Sequence, residues 1–326
     1  MTEFTPPFWL RSAHVQSILP SLPLRRLAVE RRAAPLLRSS VERVIECGDG
    51  VRLLGLHSTQ VRRGRAAAEH LVVLHHGWEG SADSLYVLSL GQYLFERGYD
   101  ILRLNLRDHG PTHHLNRDLF HSCRIREVVG AIHSIQAQHP SQGLSLVGFS
   151  LGGNFALRVG ARAREAGVHL RRIVAISPVL DPEVTLDALE RGAAIYRQYF
   201  IWKWTRSLLK KQRAWPGVYD FNGLMHDRTL TSMTDYLVRH YSEFPDLRTY
   251  LRGYALVHGS MESLEVPARI IAADDDPMIP VRDLERLPRL ANLRITRTCF
   301  GGHCGFMPGV RGESWVAGEV LNELRQ

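Results

Sequence analysis

Short apolar runs of strand length recur along this chain and, from residue 70 to 180, alternate with longer stretches of helical periodicity. Leu71-Val72-Val73-Leu74 reads as a buried strand, and residues 84–97 as an amphipathic helix. Asp100-Ile101-Leu102-Arg103-Leu104 predicts the next strand, residues 124–138 a helix, and Leu144-Ser145-Leu146-Val147 a further strand. Residues 154–159 keep helical spacing, and Arg172-Ile173-Val174-Ala175-Ile176 is again strand-like. The rhythm stops over 181–265, resumes at 268–273 and 293–299, and closes with a helix around 313–324. Upstream, residues 41–47 and 51–57 flank Gly48-Asp49-Gly50, the pattern of an antiparallel hairpin with a tight turn.

Repeated strand–helix units predict an α/β fold: a mostly parallel, twisted sheet with helices on both faces. The core is expected over 41–180 and 266–326. Residues 1–40, rich in proline and arginine but also in aromatic and aliphatic residues, predict an arm packed on that core. The 181–265 block is crowded with Tyr196, Tyr199, Phe200, Trp202, Trp204 and Trp215. It reads as an inserted helical cap over the C-terminal edge of the sheet, where open-sheet ligand sites lie.

Composition changes this picture little. The 326 residues are 44% hydrophobic and 23% charged, ordinary for a globular protein. The formal net charge of +8 comes almost wholly from scattered arginines, among them Arg25, Arg62, Arg107 and Arg171. That favours a solvated basic surface, with an anionic substrate or a membrane surface as the alternatives; nothing resembles a nucleic-acid-binding module. Cys47, Cys123, Cys299 and Cys304 show no C-x-x-C spacing, so they read as reduced thiols of a cytoplasmic protein. No signal peptide is evident and no run of 18 apolar residues occurs, so no membrane-spanning helix is expected, while peripheral contact stays open. Oligomeric state is not legible.

Candidate chemistry gathers at three places. Gly148-Phe149-Ser150-Leu151-Gly152 matches G-x-S-x-G between an apolar strand and a helix, the context of a nucleophile elbow. Glycines on both sides leave room for a strained turn that presents the Ser150 hydroxyl, with a helix N-terminus behind it. A serine nucleophile needs a base and a carboxylate that orients the base. The acid is sought in Asp274-Asp275-Asp276-Pro277-Met278-Ile279-Pro280, straight after a buried strand. Asp276 is preferred because Asp-Pro suits a rigid strand exit; Asp275 is the alternative. His303, flanked by glycines in Gly301-Gly302-His303-Cys304-Gly305, is the candidate base. Oxyanion donors are expected from the N–H of Leu151 and, in His75-His76-Gly77-Trp78-Glu79-Gly80, from that of Trp78. Glu79 could bind substrate or brace its loop. The histidines His75, His76, His109, His113, His114 and His121 lack convincing ligand spacing, so neither metal nor cofactor is expected.

These segments together resemble the α/β-hydrolase superfamily, and more specifically its YheT-like branch of serine esterases. The residues that carry the likeness are the His76-Gly77-Trp78-Glu79-Gly80-Ser81 loop, the elbow through Asn154, the Asp275-Asp276-Pro277 exit and the Gly301-to-Phe306 segment. Leu10-Arg11-Ser12-Ala13-His14-Val15-Gln16-Ser17-Ile18 resembles that branch's L-R-x-x-H-x-Q-T-I signature, and His121-Ser122 matches its His-Ser pair. The likeness spans nearly the whole chain. It implies an α/β-hydrolase fold and hydrolysis of carboxylic esters, with Ser150, Asp276 and His303 as the triad. The chain departs from the branch at Asn105-Leu106-Arg107-Asp108-His109-Gly110, where N-x-R-G-x-G is usual. An aromatic cap suits medium-chain acyl or lipid esters as small-molecule substrates. An acyltransferase using the same acyl-serine, or a non-catalytic binding protein on this scaffold, are the alternatives.

Overall fold

The computed structural model describes residues 4–225 and 229–326, so the predicted arm and cap each run partly outside the described residues. Three short helices lead in: α1 (Ala13–Ile18), α2 (Pro23–Arg32) and α3 (Ala34–Arg38). The hairpin β1 (Ser40–Glu46) and β2 (Arg52–Ser58) follows, with Val44 opposite Leu54. Its turn places Gly48, Asp49 and Gly50 all at positive φ, which explains the Gly-Asp-Gly sequence.

The remaining strands are β3 (His70–His75), β4 (Asp100–Asn105), β5 (Gly143–Phe149), β6 (Leu170–Ile176), β7 (Ala268–Ala273) and β8 (Leu293–Thr298). They form one sheet in the order β1-β2-β4-β3-β5-β6-β7-β8. Only β2 runs antiparallel to its neighbours; β4 through β8 pair in parallel.

Alternation along the central strands feeds two separate cores. Leu71, Val73, Leu144 and Leu146 pack with α5 (Ile125–Gln138) and α6 (Leu151–Gly160) on one face. Val72, Leu74, Val147 and Phe149 pack on the other with α4 (Leu85–Phe95) and α11 (Trp315–Leu324). Burial on both faces is why these strands read as continuous apolar runs.

Between β6 and β7 lie α7 (Pro182–Arg191), α8 (Ala194–Ala214), α9 (Leu230–Tyr241) and α10 (Leu247–Arg252). Asp181 caps α7 by accepting from the N–H groups of Glu183 and Val184, ahead of Pro182 in the first turn. With 21 residues, α8 is about 30 Å long. No helix among the described residues is long and apolar enough to cross a membrane.

Candidate active site

Ser150 joins β5 to α6 with φ 53° and ψ −119°, a region that side-chain-bearing residues rarely occupy. The flanking glycines are obligatory on steric grounds. A Cβ at Gly148 would stand 2.2 Å from the Gly152 carbonyl oxygen, and one at Gly152 would stand 2.4 Å from that of His76. Both obstacles are backbone and cannot swing aside. The Ser150 N–H donates to the Ile176 carbonyl at 2.8 Å, tying the elbow to the end of β6.

The three aspartates after β7 point to three different partners, which relieves their mutual repulsion. Asp274 accepts from Arg297 Nε at 2.8 Å, and Asp275 Oδ1 accepts from the Gly302 N–H at 2.8 Å. Asp276 Oδ1 takes the N–H groups of Met278 and Ile279 at 2.8 and 3.0 Å. Its Oδ2 is thereby aimed at His303 Nδ1, 2.9 Å away. Of the two candidate acids, Asp276 is the one in contact with the imidazole.

His303 sits in a loop that only a glycine-rich sequence could form: Gly301, Gly302, Cys304 and Phe306 all have positive φ. The arm grips this loop. The His303 N–H donates to Ser17 Oγ at 2.8 Å, and Ser17 Oγ in turn donates to the Ala13 carbonyl at 2.7 Å. Gln16, fully buried, donates through Nε2 to the carbonyls of Leu10 and Met307 and accepts from the Met307 N–H at 2.7 Å. A Cβ at Gly305 would meet the Gln16 carbonyl at 2.1 Å, so arm and loop lie backbone against backbone. Ser17 and Gln16 as holders of the histidine loop were not assigned that task from sequence; the signal was their place in the arm signature.

The loop also reaches the elbow. Cys304 Sγ contacts the Ile176 carbonyl oxygen at 3.7 Å, the oxygen that accepts from Ser150, and the Cys304 N–H donates to Ser177 Oγ at 3.3 Å. Burial pushes the His303 imidazole toward its neutral form, but the Asp276 carboxylate and Cys304 outweigh burial and hold it well above the usual histidine range.

The loop after β3 closes over the serine: a Cβ at Gly77 would lie 3.2 Å from Ser150 Cβ. His76 braces it. The Leu106 N–H donates to His76 Nε2 at 3.1 Å, so the proton sits on Nδ1, which donates to the Gly77 carbonyl at 2.7 Å. Burial keeps this imidazole neutral, well below the ordinary range. Next door, the Trp78 ring stacks on Phe200 with centroids 5.0 Å apart and meets Trp204 edge-on, also at 5.0 Å. Lys203 Nζ donates to the Glu79 carbonyl, so α8 holds this loop through one charged and two aromatic contacts. Burial pushes the Glu79 carboxyl up to about 7, against the pull of Lys203.

The Asn105–Gly110 departure also has a structural account. Asp108 stands at φ 57°, where glycine would sit freely. Its Oδ2 accepts from the Phe120 N–H and its Oδ1 from Lys211 Nζ, each at 2.8 Å. Lys211 spends its other protons on the carbonyls of Asn116 and Asp118. His109 Nδ1 bonds to the Arg107 carbonyl and its ring lies 4.8 Å from that of His76. Beneath α8 and α9 this loop borders a cavity lined by Glu79, Leu119, Phe120, Trp204, Leu208 and Val238; neither Ser150 nor His303 is part of that lining. Among the described residues no three His, Cys, Asp or Glu side chains converge as metal ligands.

An eight-stranded, mostly parallel sheet with a serine on a strained strand-to-helix turn defines the α/β-hydrolase architecture. The chain belongs to the alpha/beta hydrolase fold family, whose sequence model matches residues 70–310. Among solved structures it is similar to the Pyrococcus furiosus esterase Pf2001, with TM-score 0.59 and 16% identity over 91% of this chain and 92% of that one. It is also similar to a membrane phospholipase A described as a bacterial virulence factor (TM-score 0.55, 18% identity, 96% and 94% covered). A third likeness is to a hyperthermophilic esterase from the archaeon Pyrobaculum calidifontis (TM-score 0.55, 16% identity, 87% and 83% covered). At these identities the likeness is one of fold.

Proposed function

We propose that the protein is a serine esterase that cleaves carboxylic esters of medium-chain or lipid type through an acyl-serine intermediate. The observation that carries this reading is the 2.9 Å contact between His303 and Asp276 in a loop whose next residue, Cys304, meets the Ser150 elbow at the Ile176 carbonyl. In this scheme Ser150 Oγ attacks the ester carbonyl carbon while His303 Nε2 takes the hydroxyl proton. The resulting oxyanion is met by the N–H groups of Leu151 and Trp78, each worth about 3 kcal/mol in the transition state. His303 returns the proton to the departing alcohol as the C–O bond breaks. Water, deprotonated by the same imidazole, then attacks the acyl carbon and releases the acid and the free serine.

Asp276 holds the Nδ1 proton and stabilises the imidazolium formed in both steps. The apolar cavity beneath α8 and α9 supports an acyl-binding role for the 181–265 segment, with Phe120, Leu208 and Val238 offering surface to a chain. Within the family we assign the chain to the YheT-like branch, because the arm signature supplies Gln16 and Ser17 to the histidine loop. Burial raises the thiols of Cys47 and Cys123 to about 12, which suits inert, reduced cysteines and a cytoplasmic setting.

A fluorophosphonate probe tests the reading directly. It should label Ser150 in the wild type and leave Ser150→Ala unmodified, and nitrophenyl esters of graded chain length should be turned over by the former alone. Undiminished labelling or turnover in Ser150→Ala would remove Ser150 from the mechanism.

A further inference from the structure

Helix α8 is apolar on two sides, and only one of them is used by the fold. Tyr196, Phe200, Trp204 and Leu208, spaced by four, face inward toward the Trp78 loop and the core. Ile195, Tyr199, Trp202 and Leu209 are spaced by four, three and seven, so they share a second arc of about 100° around the helix axis. That arc faces solvent: the four residues are 56%, 46%, 52% and 37% exposed. A solitary exposed leucine would carry no meaning, but a continuous stripe on a long helix does.

Charge identifies what the stripe fits. Arg206, Lys210 and Arg213 lie on the same arc, and the Arg206 guanidinium sits 4.7 Å over the Trp202 ring. The helix as a whole carries six Lys or Arg side chains and not one Asp or Glu. Exposed Trp and Tyr interleaved with cations is the composition of a helix lying in the headgroup region of an anionic bilayer. The arm adds to it. Nine of the thirteen large apolar side chains exposed among the described residues belong to the arm or to α8. The two segments touch, with His14 Nδ1 2.8 Å from the Tyr196 hydroxyl, and Phe8 and Trp9 stand exposed just before that contact.

We propose that the outer arc of α8 seats this protein on an anionic lipid surface, with Tyr199 and Trp202 entering the interface and Arg206, Lys210 and Arg213 pairing with lipid phosphates. The inner arc of the same helix packs on the Trp78 loop, so the seated face and the candidate active site are joined through one rigid element. Docking does not depend on the esterase reading, because it is measured as binding and not as turnover.

The test is flotation of the full-length protein with vesicles of phosphatidylcholine alone, or containing about one-third phosphatidylglycerol, together with intrinsic tryptophan emission. Wild type should float with the anionic vesicles, show a blue shift on binding, and be released as salt shortens the screening length to about 3 Å at 1 M. Each exposed cation near the surface contributes about fivefold to binding. Arg206→Glu with Lys210→Glu should therefore weaken vesicle binding by at least tenfold. Tyr199→Ser with Trp202→Ser should weaken it comparably and abolish the blue shift. Both variants should keep the wild-type melting temperature and the wild-type rate on a soluble short-chain ester. Equal affinity for neutral and anionic vesicles, or binding untouched by both variants, overturns the proposal. So does a wild type that ignores vesicles yet dimerises in light scattering through Trp202, which would make a second copy of the chain the occupant.

Discussion

Asp276 offers one carboxylate oxygen to His303 Nδ1 at 2.9 Å while two backbone N–H groups, from Met278 and Ile279, fix the other. The carboxylate is thus oriented before any substrate arrives, and the imidazole it holds must keep its proton on Nδ1 and leave Nε2 free for the serine. Asp276→Asn preserves the shape but can donate to Nδ1, favouring the wrong tautomer. It should lower kcat by a factor on the order of 10^4 with little change in KM. Asp275→Asn can still accept from the Gly302 N–H through its amide oxygen and should cost less than about tenfold. Steady-state kinetics on one soluble ester compares the two; the opposite ranking would move the orienting role to Asp275.

The same pair sets a pH dependence. His303 is held well above the ordinary histidine value of about 6.5, against burial, by Asp276 and Cys304. As general base it works only when neutral, so kcat/KM should rise with pH through an acid limb displaced above 6.5. Asp276→Asn, which removes the largest raising influence, should bring that limb down. For stability the sign is the reverse. The raised value means that the charged pair stabilises the fold fully below about 6.5 and that this contribution fades as pH climbs through the folded value. A rate profile with its acid limb at 6.5 in both proteins would show that the pair does not govern the titration.

What could be read from the sequence was what local pattern encodes. The strand runs stood out because burial on both faces leaves no polar alternation, and the Ser150 elbow because its glycines answer to backbone a few residues away. The dependence of the histidine loop on the arm was invisible: Ser17 and His303 are 286 residues apart, and only folding brings them together. The aromatics of α8 read from sequence as one group. Period alone shows two apolar arcs and cannot say that Trp204 meets Trp78 while Trp202 faces water. The abundance of histidines has a plain explanation at His76 and His109, which are buried neutral rings bonded to carbonyls of their own loops.

Glu79 yields a separate prediction. Its carboxyl is pushed up to about 7 by burial in the loop that covers Ser150. Between the ordinary glutamate value of about 4.3 and 7 the folded chain holds a proton that the unfolded chain has released, so stability falls as pH rises across that window. Glu79→Gln removes the titration. Urea midpoints should favour the variant increasingly over wild type from pH 5 to pH 8; a difference that is flat with pH would mean that Glu79 is already ionised in the native loop.

The contact between Lys211 and Asp108 spans 103 residues and joins α8 to the loop after β4, with both groups buried. Burial works against both charges, lowering the lysine and raising the aspartate from their usual values. Such a pair adds little net stability, yet breaking it from one side leaves a charge with no partner. Lys211→Met should therefore destabilise the protein by about 3–5 kcal/mol in urea unfolding. Adding Asp108→Asn removes the orphaned charge. Asparagine tolerates the φ of 57°, and its amide oxygen can still accept from the Phe120 N–H. The double variant should recover more than half of the loss. If the single variant loses less than about 1 kcal/mol, or the second substitution recovers nothing, the contact is not the fastening between α8 and the loop that its geometry implies.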